Sequence, residues 1–117
     1  MKIDRIKHLS LLIKEEISKI LLLSLEQEAL KFITITKVEL TRDMRLAKVY
    51  FSGFKKEDNC DPQSLVSLML KNRGAIRKEL SLKLNLRHTP ELKFYYDDSI
   101  EYAQKINDII NKIKEEE

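Results

Sequence analysis

The sequence predicts an α+β fold in the order helix, strand, strand, helix, kink, helix, strand, with a further helix after the third strand and a three-stranded sheet packed on helices. Three observations predict it. Apolar residues recur every third or fourth position in several stretches, and three shorter stretches alternate apolar with polar residues. Between two of the helical stretches stands an interruption, Asn72-Arg73-Gly74. At 117 residues the chain is expected to form one domain over 1–117, with a core at about 3–97 and a C-terminal helix at about 99–114. Hydrophobic residues at 43%, charged residues at 35%, two glycines and two prolines exclude both a disordered tail and a sandwich built on many tight turns.

Ile6, Leu9, Ile13, Ile17, Ile20 and Leu21 define one face of the first helix. Leu25 to Lys31 keeps helix-forming residues without a stop signal, so the sequence leaves the end of the first helix and its connection to the first strand open. Ile33 to Leu40 is rich in β-branched residues and alternates, with a phase change at Lys37-Val38 that predicts a bulge. After the polar turn Thr41-Arg42-Asp43-Met44, Arg45 to Ser52 alternates again, with Ala47, Val49 and Phe51 on one side and Leu46, Lys48 and Tyr50 on the other. The two strands should form an antiparallel hairpin. A polar loop, Gly53 to Asp61, ends in an N-cap followed by Pro62 at the first helical position.

The next stripe is Leu65, Leu68 and Met69, and it resumes at Ile76 and Leu80. Asn72 occupies the intervening apolar position, and Gly74 is costly inside a helix, so a break is expected there. Pro90 biases Thr89 towards extended backbone, and Leu92, Phe94 and Tyr96 alternate with Lys93 and Tyr95 in a third strand. Asp98 and Glu101 suit a capping box for a last helix with the stripe Ile100, Ala103, Ile106, Ile110 and Ile113. The acidic tail 115–117 opposes the helix dipole there.

Several functional classes are disfavoured. The run Ile20-Leu21-Leu22-Leu23 is too short for a membrane span, and the charges in Met1 to Lys7 do not suit a signal peptide, so a cytoplasmic protein without membrane contact is expected. Cys60 stands among Asp58, Asn59 and Asp61 and reads as an unreactive loop thiol. His8 and His88 have no metal-ligand spacing, and Asp97-Asp98 reads as a strand-to-helix cap. With no Gly-rich phosphate loop or nucleophile motif, the expectation is no enzyme activity, no cofactor, no metal and no small-molecule substrate.

Charge is distributed unevenly. Between Lys71 and Lys93 seven basic residues face two acidic ones, a net of +5, whereas from Phe94 onward three lysines face seven acids, a net of −4. A local positive patch on a chain of net charge +3 suits phosphate binding.

A sheet covered by helices on one face, with a kinked helix pair leading into the third strand, is the plan of a type II KH-like domain. The hairpin Ile33 to Tyr50, the segment Pro90-Glu91-Leu92-Lys93-Phe94 with Asp97, the helix segment Ile13-Lys14-Glu15-Glu16-Ile17-Ser18 and Leu84-Asn85-Leu86-Arg87 resemble the ribosome-binding factor A family, in order and over most of the chain. Where that family carries Ala-x-Gly at the kink this chain has Asn72-Arg73-Gly74, and Gln27-Glu28-Ala29 stands where the family carries an Asp-Pro-Arg type turn.

The resemblance implies a non-catalytic monomer that binds the immature small ribosomal subunit and its ribosomal RNA and assists late maturation. A break frees backbone N–H groups that phosphates can approach, and basic side chains nearby neutralise them. Arg73, Arg77 and Lys78 are expected closest to RNA, with Asn72 and Gly74 at the break and Lys71, Arg87 and His88 flanking. Arg42, Arg45 and Lys48 on the hairpin form a second candidate surface. The Asn72 amide reads as a cap for the break rather than a base reader, and Tyr50, Tyr95 and Tyr96 read as sheet packing. Two alternatives are a DNA-binding helix-turn-helix protein using Ala75 to Leu84 for recognition, and a protein-interaction adaptor using the acidic C-terminal region and the exposed hairpin.

Overall fold

The computed structural model describes residues 2–53 and 61–116. Cys60 and most of the expected loop from Gly53 to Asp61 lie outside these residues, as do the side chains of Ile100, Glu101 and Ala103.

Helix α1, Lys2–Lys19, buries Ile13 and Ile17 and passes into a wider π-helical turn, Ile20–Ser24, that buries Ile20 and Leu21. The helix does not run on to Lys31. Beyond Leu21 the positions that continue the centre of its inward face are Ser24 and Glu28, so the apolar stripe ends there. Leu25 instead takes extended backbone, and a 3₁₀ turn, Glu28–Phe32, rotates Leu30 into the core.

Strands β1 (Ile33–Leu40) and β2 (Leu46–Gly53) pair antiparallel, and β2 pairs parallel with β3 (Glu91–Tyr96). The order β1-β2-β3 leaves β3 at an edge. The expected bulge exists, but its extra residue is Thr36, since the register shifts between Ile35 and Lys37. Thr36 donates its hydroxyl to Asp97 Oδ2 at 2.7 Å, so the bulge is tied to the end of β3.

One sheet face is apolar: Ile35, Val38, Leu40, Ala47, Val49, Phe51, Leu92 and Phe94 are buried. Phe51 meets Phe94 and Tyr96 edge to face, at centroid distances of 6.5 Å and 5.9 Å. Onto this face pack α1, α2 (Pro62–Lys71) and α3 (Arg73–Leu84), which contribute Leu65, Met69, Ile76 and Leu80 beside the α1 isoleucines. Asp61 caps α2 as expected, accepting from Ser64 N–H at 2.6 Å. Asn85 ends α3 in the left-handed region, at φ 50°.

Helix α4, Ser99–Glu116, starts where Asp97 Oδ1 accepts from Ser99 N–H at 2.9 Å. Its stripe residues Ile106, Ile110 and Ile113, with Ile109, stay exposed rather than joining the core. No helix among the described residues is long and apolar enough to cross a membrane.

Candidate nucleic-acid interface

The interruption between α2 and α3 is centred on Asn72, whose φ of −98° and ψ of 4° leave the helical region. Gly74 is not its cause. No glycine of the described chain has a positive φ, Gly74 lies within the first turn of α3, and a Cβ there would meet nothing within 4 Å. An apolar side chain at position 72 would have continued the stripe; Asn72 instead turns its amide back, donating to the Leu68 carbonyl at 2.8 Å and to Gln27 Oε1 at 2.9 Å. The amide thus caps α2, as the sequence suggests, and also ties the break to the connection between α1 and β1. The ladder of α3 begins with Ile76 N–H donating to the Asn72 carbonyl at 2.9 Å, so the amides of Arg73, Gly74 and Ala75 precede it.

Lys71, Arg73, Gly74, Arg77 and Lys78 are all exposed around this break. Arg73 and Arg77, one helical turn apart, line a small cleft together with Glu91 and Leu92. Arg77 has a structural partner as well: its Nε donates to the Pro90 carbonyl at 3.0 Å and its Nη2 to the Thr89 carbonyl at 2.8 Å. This fork holds the connection carrying the exposed Arg87 and His88 against α3.

The hairpin turn reaches the same end of the sheet. Glu91 N–H donates to the Arg45 carbonyl at 2.8 Å, so the turn abuts the start of β3 and the cleft that Arg73 and Arg77 line. The turn is braced from within. Asp43 Oδ1 accepts from the Thr41 hydroxyl at 2.6 Å and from Arg45 N–H at 3.1 Å, and Met44 sits at φ 60°. The Thr41 hydroxyl, then the Arg45 amide, hold the Asp43 carboxyl below its ordinary range. Arg42 and Arg45 remain exposed at the tip.

Lys48 does not join them. It points to the sheet face opposite the helices, opposite Glu39 on β1 and Lys93 on β3. The expected hairpin surface therefore divides: Arg42 and Arg45 belong with the helix-break end, and Lys48 with the outer face. Sequence reasoning passed over Lys93 as a neighbour of Lys48. The signal available was the repeated Lys-x-Tyr in Lys48-Val49-Tyr50 and Lys93-Phe94-Tyr95, which the parallel register sets side by side. Among the described residues no group of three or more His, Cys, Asp and Glu side chains is arranged to hold a metal ion.

Comparison with known proteins bears on this arrangement. A family model described as ribosome-binding factor A matches residues 5–110. Ribosome-binding factor A of Halothermothrix orenii is 38% identical over 117 residues, spanning 100% of this chain and 94% of its own. The crystal structure of ribosome-binding factor A from Thermus thermophilus matches with a TM-score of 0.67 at 21% identity, over 78% of this chain and 93% of that one. A homology model of the Thermus thermophilus factor, fitted into the cryo-EM map of its complex with the 30S subunit, gives a TM-score of 0.64 at 21% identity over 79% and 94% of the two chains. The α+β order, the shared sheet and helix-pair architecture, which agrees with a KH-like plan, and a family match over most of the chain lead to one conclusion: the chain belongs to the ribosome-binding factor A family.

Proposed function

We propose that this chain is a non-enzymatic assembly factor that binds the immature small ribosomal subunit through its ribosomal RNA and assists late maturation and processing of that RNA. In this reading it works in the cytoplasm as a monomer and a single domain over 1–117, without cofactor or small-molecule substrate. Family membership supports the small subunit as partner, as does the relative fitted into a 30S complex. The observation that carries the RNA-binding surface is the meeting of Arg45, Arg73 and Arg77 around the start of β3, with Arg42, Arg87 and His88 beside them. Cations collected at one end of the sheet, next to the leading amides of α3, suit a phosphate backbone better than a base edge.

The test is co-sedimentation with precursor and mature small subunits. Preferential association with precursor particles is expected, and the paired charge reversals Arg45→Glu and Arg73→Glu should weaken it while leaving the unfolding temperature unchanged. Contact with about four to six phosphates gives a slope of about −3 to −5 in log K against log salt. Unchanged association of the double variant, a flat salt dependence, or a preference for duplex DNA at matched salt would each overturn the reading.

A further inference from the structure

The core residues of α1, α2 and α3 all meet the apolar sheet face, and the other face carries Lys37, Glu39, Lys48, Tyr50, Glu91, Lys93 and Tyr95, all exposed or half-buried. Register orders part of this face. Lys37 is opposite Tyr50, and Tyr50 is opposite Tyr95. The two rings stack with centroids 5.2 Å apart and planes 25° apart, and Lys37 Nζ lies 5.9 Å from the Tyr50 centroid. A centroid spacing close to the ~4.8 Å between strands means that the rings stand up from the sheet and face along the direction in which strands are added. From β1 to β3 the stack therefore reads cation, ring, ring, and then the edge, because among the described residues β3 has no further strand beside it.

The two ends of this stack are not equivalent. Lys37 takes the β1-side face of Tyr50, whereas Tyr95 retains 39% exposure at the open edge. Two residues back along each strand, Lys48 and Lys93 stand directly opposite each other, an arrangement of like charges that a sheet disfavours and that an anion relieves. Glu39 lies beside Lys48 and is ion-paired to Lys37, Asp97 also acts on Lys37, and Glu91 lies two positions before Lys93, so the positive charge of the face is concentrated where Lys48 and Lys93 meet.

We propose that the open face of Tyr95 receives one unpaired nucleobase of single-stranded RNA, extending the Lys37, Tyr50, Tyr95 stack by one member, with Lys93 and Lys48 holding the adjoining phosphate. Sheet packing alone accounts for two rings in contact. It does not account for a stack closed by a cation at its β1 end and left open at its β3 end beside a pair of facing lysines. A flat ring face without a surrounding pocket takes any base, so this contact anchors a strand without reading its sequence. The inference rests on RNA being the partner, but uses a surface separate from the helix-break end.

The chain has four tyrosines and no tryptophan, so tyrosine emission can be read directly. An unstructured RNA of about ten nucleotides with 2-aminopurine at its centre is titrated against the full chain at fixed salt; a stack of this kind is worth about a five- to hundredfold change in affinity. Tyr95→Ala should weaken binding by that factor and remove the 2-aminopurine quench, Tyr95→Phe should restore both, and Lys93→Ala should reduce the salt slope by about one. Tyr95→Leu keeps the bulk without the π face and should behave as the alanine variant while remaining folded. Arg73→Glu should lower affinity yet leave the quench of each bound complex intact. Wild-type RNA affinity and quench in both Tyr95→Ala and Tyr95→Leu overturn the stack alone. The same result with weakened binding to intact subunits overturns it in favour of a protein partner at this face. Absence of RNA binding by the unmutated chain overturns this proposal together with the RNA reading beneath it.

Discussion

Replacing Arg77 by alanine separates its structural task from its charge. The side chain donates once to the Pro90 carbonyl and once to the Thr89 carbonyl, and Pro90 is buried. A hydrogen bond from a charged donor contributes about 1.5–3 kcal/mol where it is shielded from water and less where it is exposed. One of the two is part-buried and one exposed, so Arg77→Ala should cost about 2 kcal/mol. For a chain of this size that lowers the unfolding temperature by about 6–12 °C, which differential scanning calorimetry or thermal circular dichroism resolves. Arg77→Lys keeps the charge but cannot span two carbonyls with a planar fork, so it should recover at most about half of the loss. Arg73→Ala, at an exposed position of the same helix, should change stability by less than about 0.5 kcal/mol while weakening subunit association. An Arg77→Ala variant unfolding within about 1 °C of the parent, or full recovery by lysine, would refute the clamp and make Arg77 only a surface charge.

Since Gly74 has ordinary backbone and open space where a Cβ would stand, Gly74→Ala should stabilise by about 0.5–1 kcal/mol in urea denaturation. Asn72→Ala should instead destabilise by about 1 kcal/mol, because the Leu68 carbonyl loses its amide cap. Stability should also decline in acid. Asp97 is held below its ordinary range by the Thr36 hydroxyl and then Ser99, Asp61 by the Ser64 amide, and Glu39 by Lys37. In each case the unfolded chain binds the proton more tightly, so the contribution is complete above the ordinary values of 3.8 for Asp and 4.5 for Glu and is lost as pH falls through the lowered folded values. Denaturation at pH 3 and pH 6 should show that difference, and Asp97→Asn should shrink it; an equal fall in the variant would remove Asp97 from the account.

Much of the fold was legible because the interactions that fix it are short in sequence. Asp61-Pro62 announces the start of α2 through a bond spanning three residues, and alternation in Ala47, Val49 and Phe51 assigns the buried face of β2 without knowledge of any partner. The bulge was visible as a phase change but displaced by one residue, because the hydroxyl of Thr36 finds Asp97, 61 positions away, and that partner decides which residue is left over. The break was located correctly, and of the two residues that pointed to it, Asn72 and Gly74, only Asn72 makes it. Helix propensity singles out Gly74, whereas the structure uses the Asn72 amide, whose second acceptor, Gln27, lies 45 positions earlier.

The candidate surface divides in the same way. Sequence by itself determined the elements, their order, the apolar stripes, the basic segment before β3 and the resemblance that led to the family, all of which depend on local periodicity, local charge and motif order. Tertiary structure decided which cations stand together. Alternation puts Lys48 on the outer face, the parallel pairing of β2 with β3 sets Lys93 beside it, and the Arg45–Glu91 hydrogen bond brings the hairpin turn to the helix break. It also gave Arg77 its two carbonyl partners and set the Tyr50 and Tyr95 rings in one stack. A side chain's face along a strand follows from a period of two, but its neighbours follow from register and strand order, which only the packing of distant segments into one core supplies.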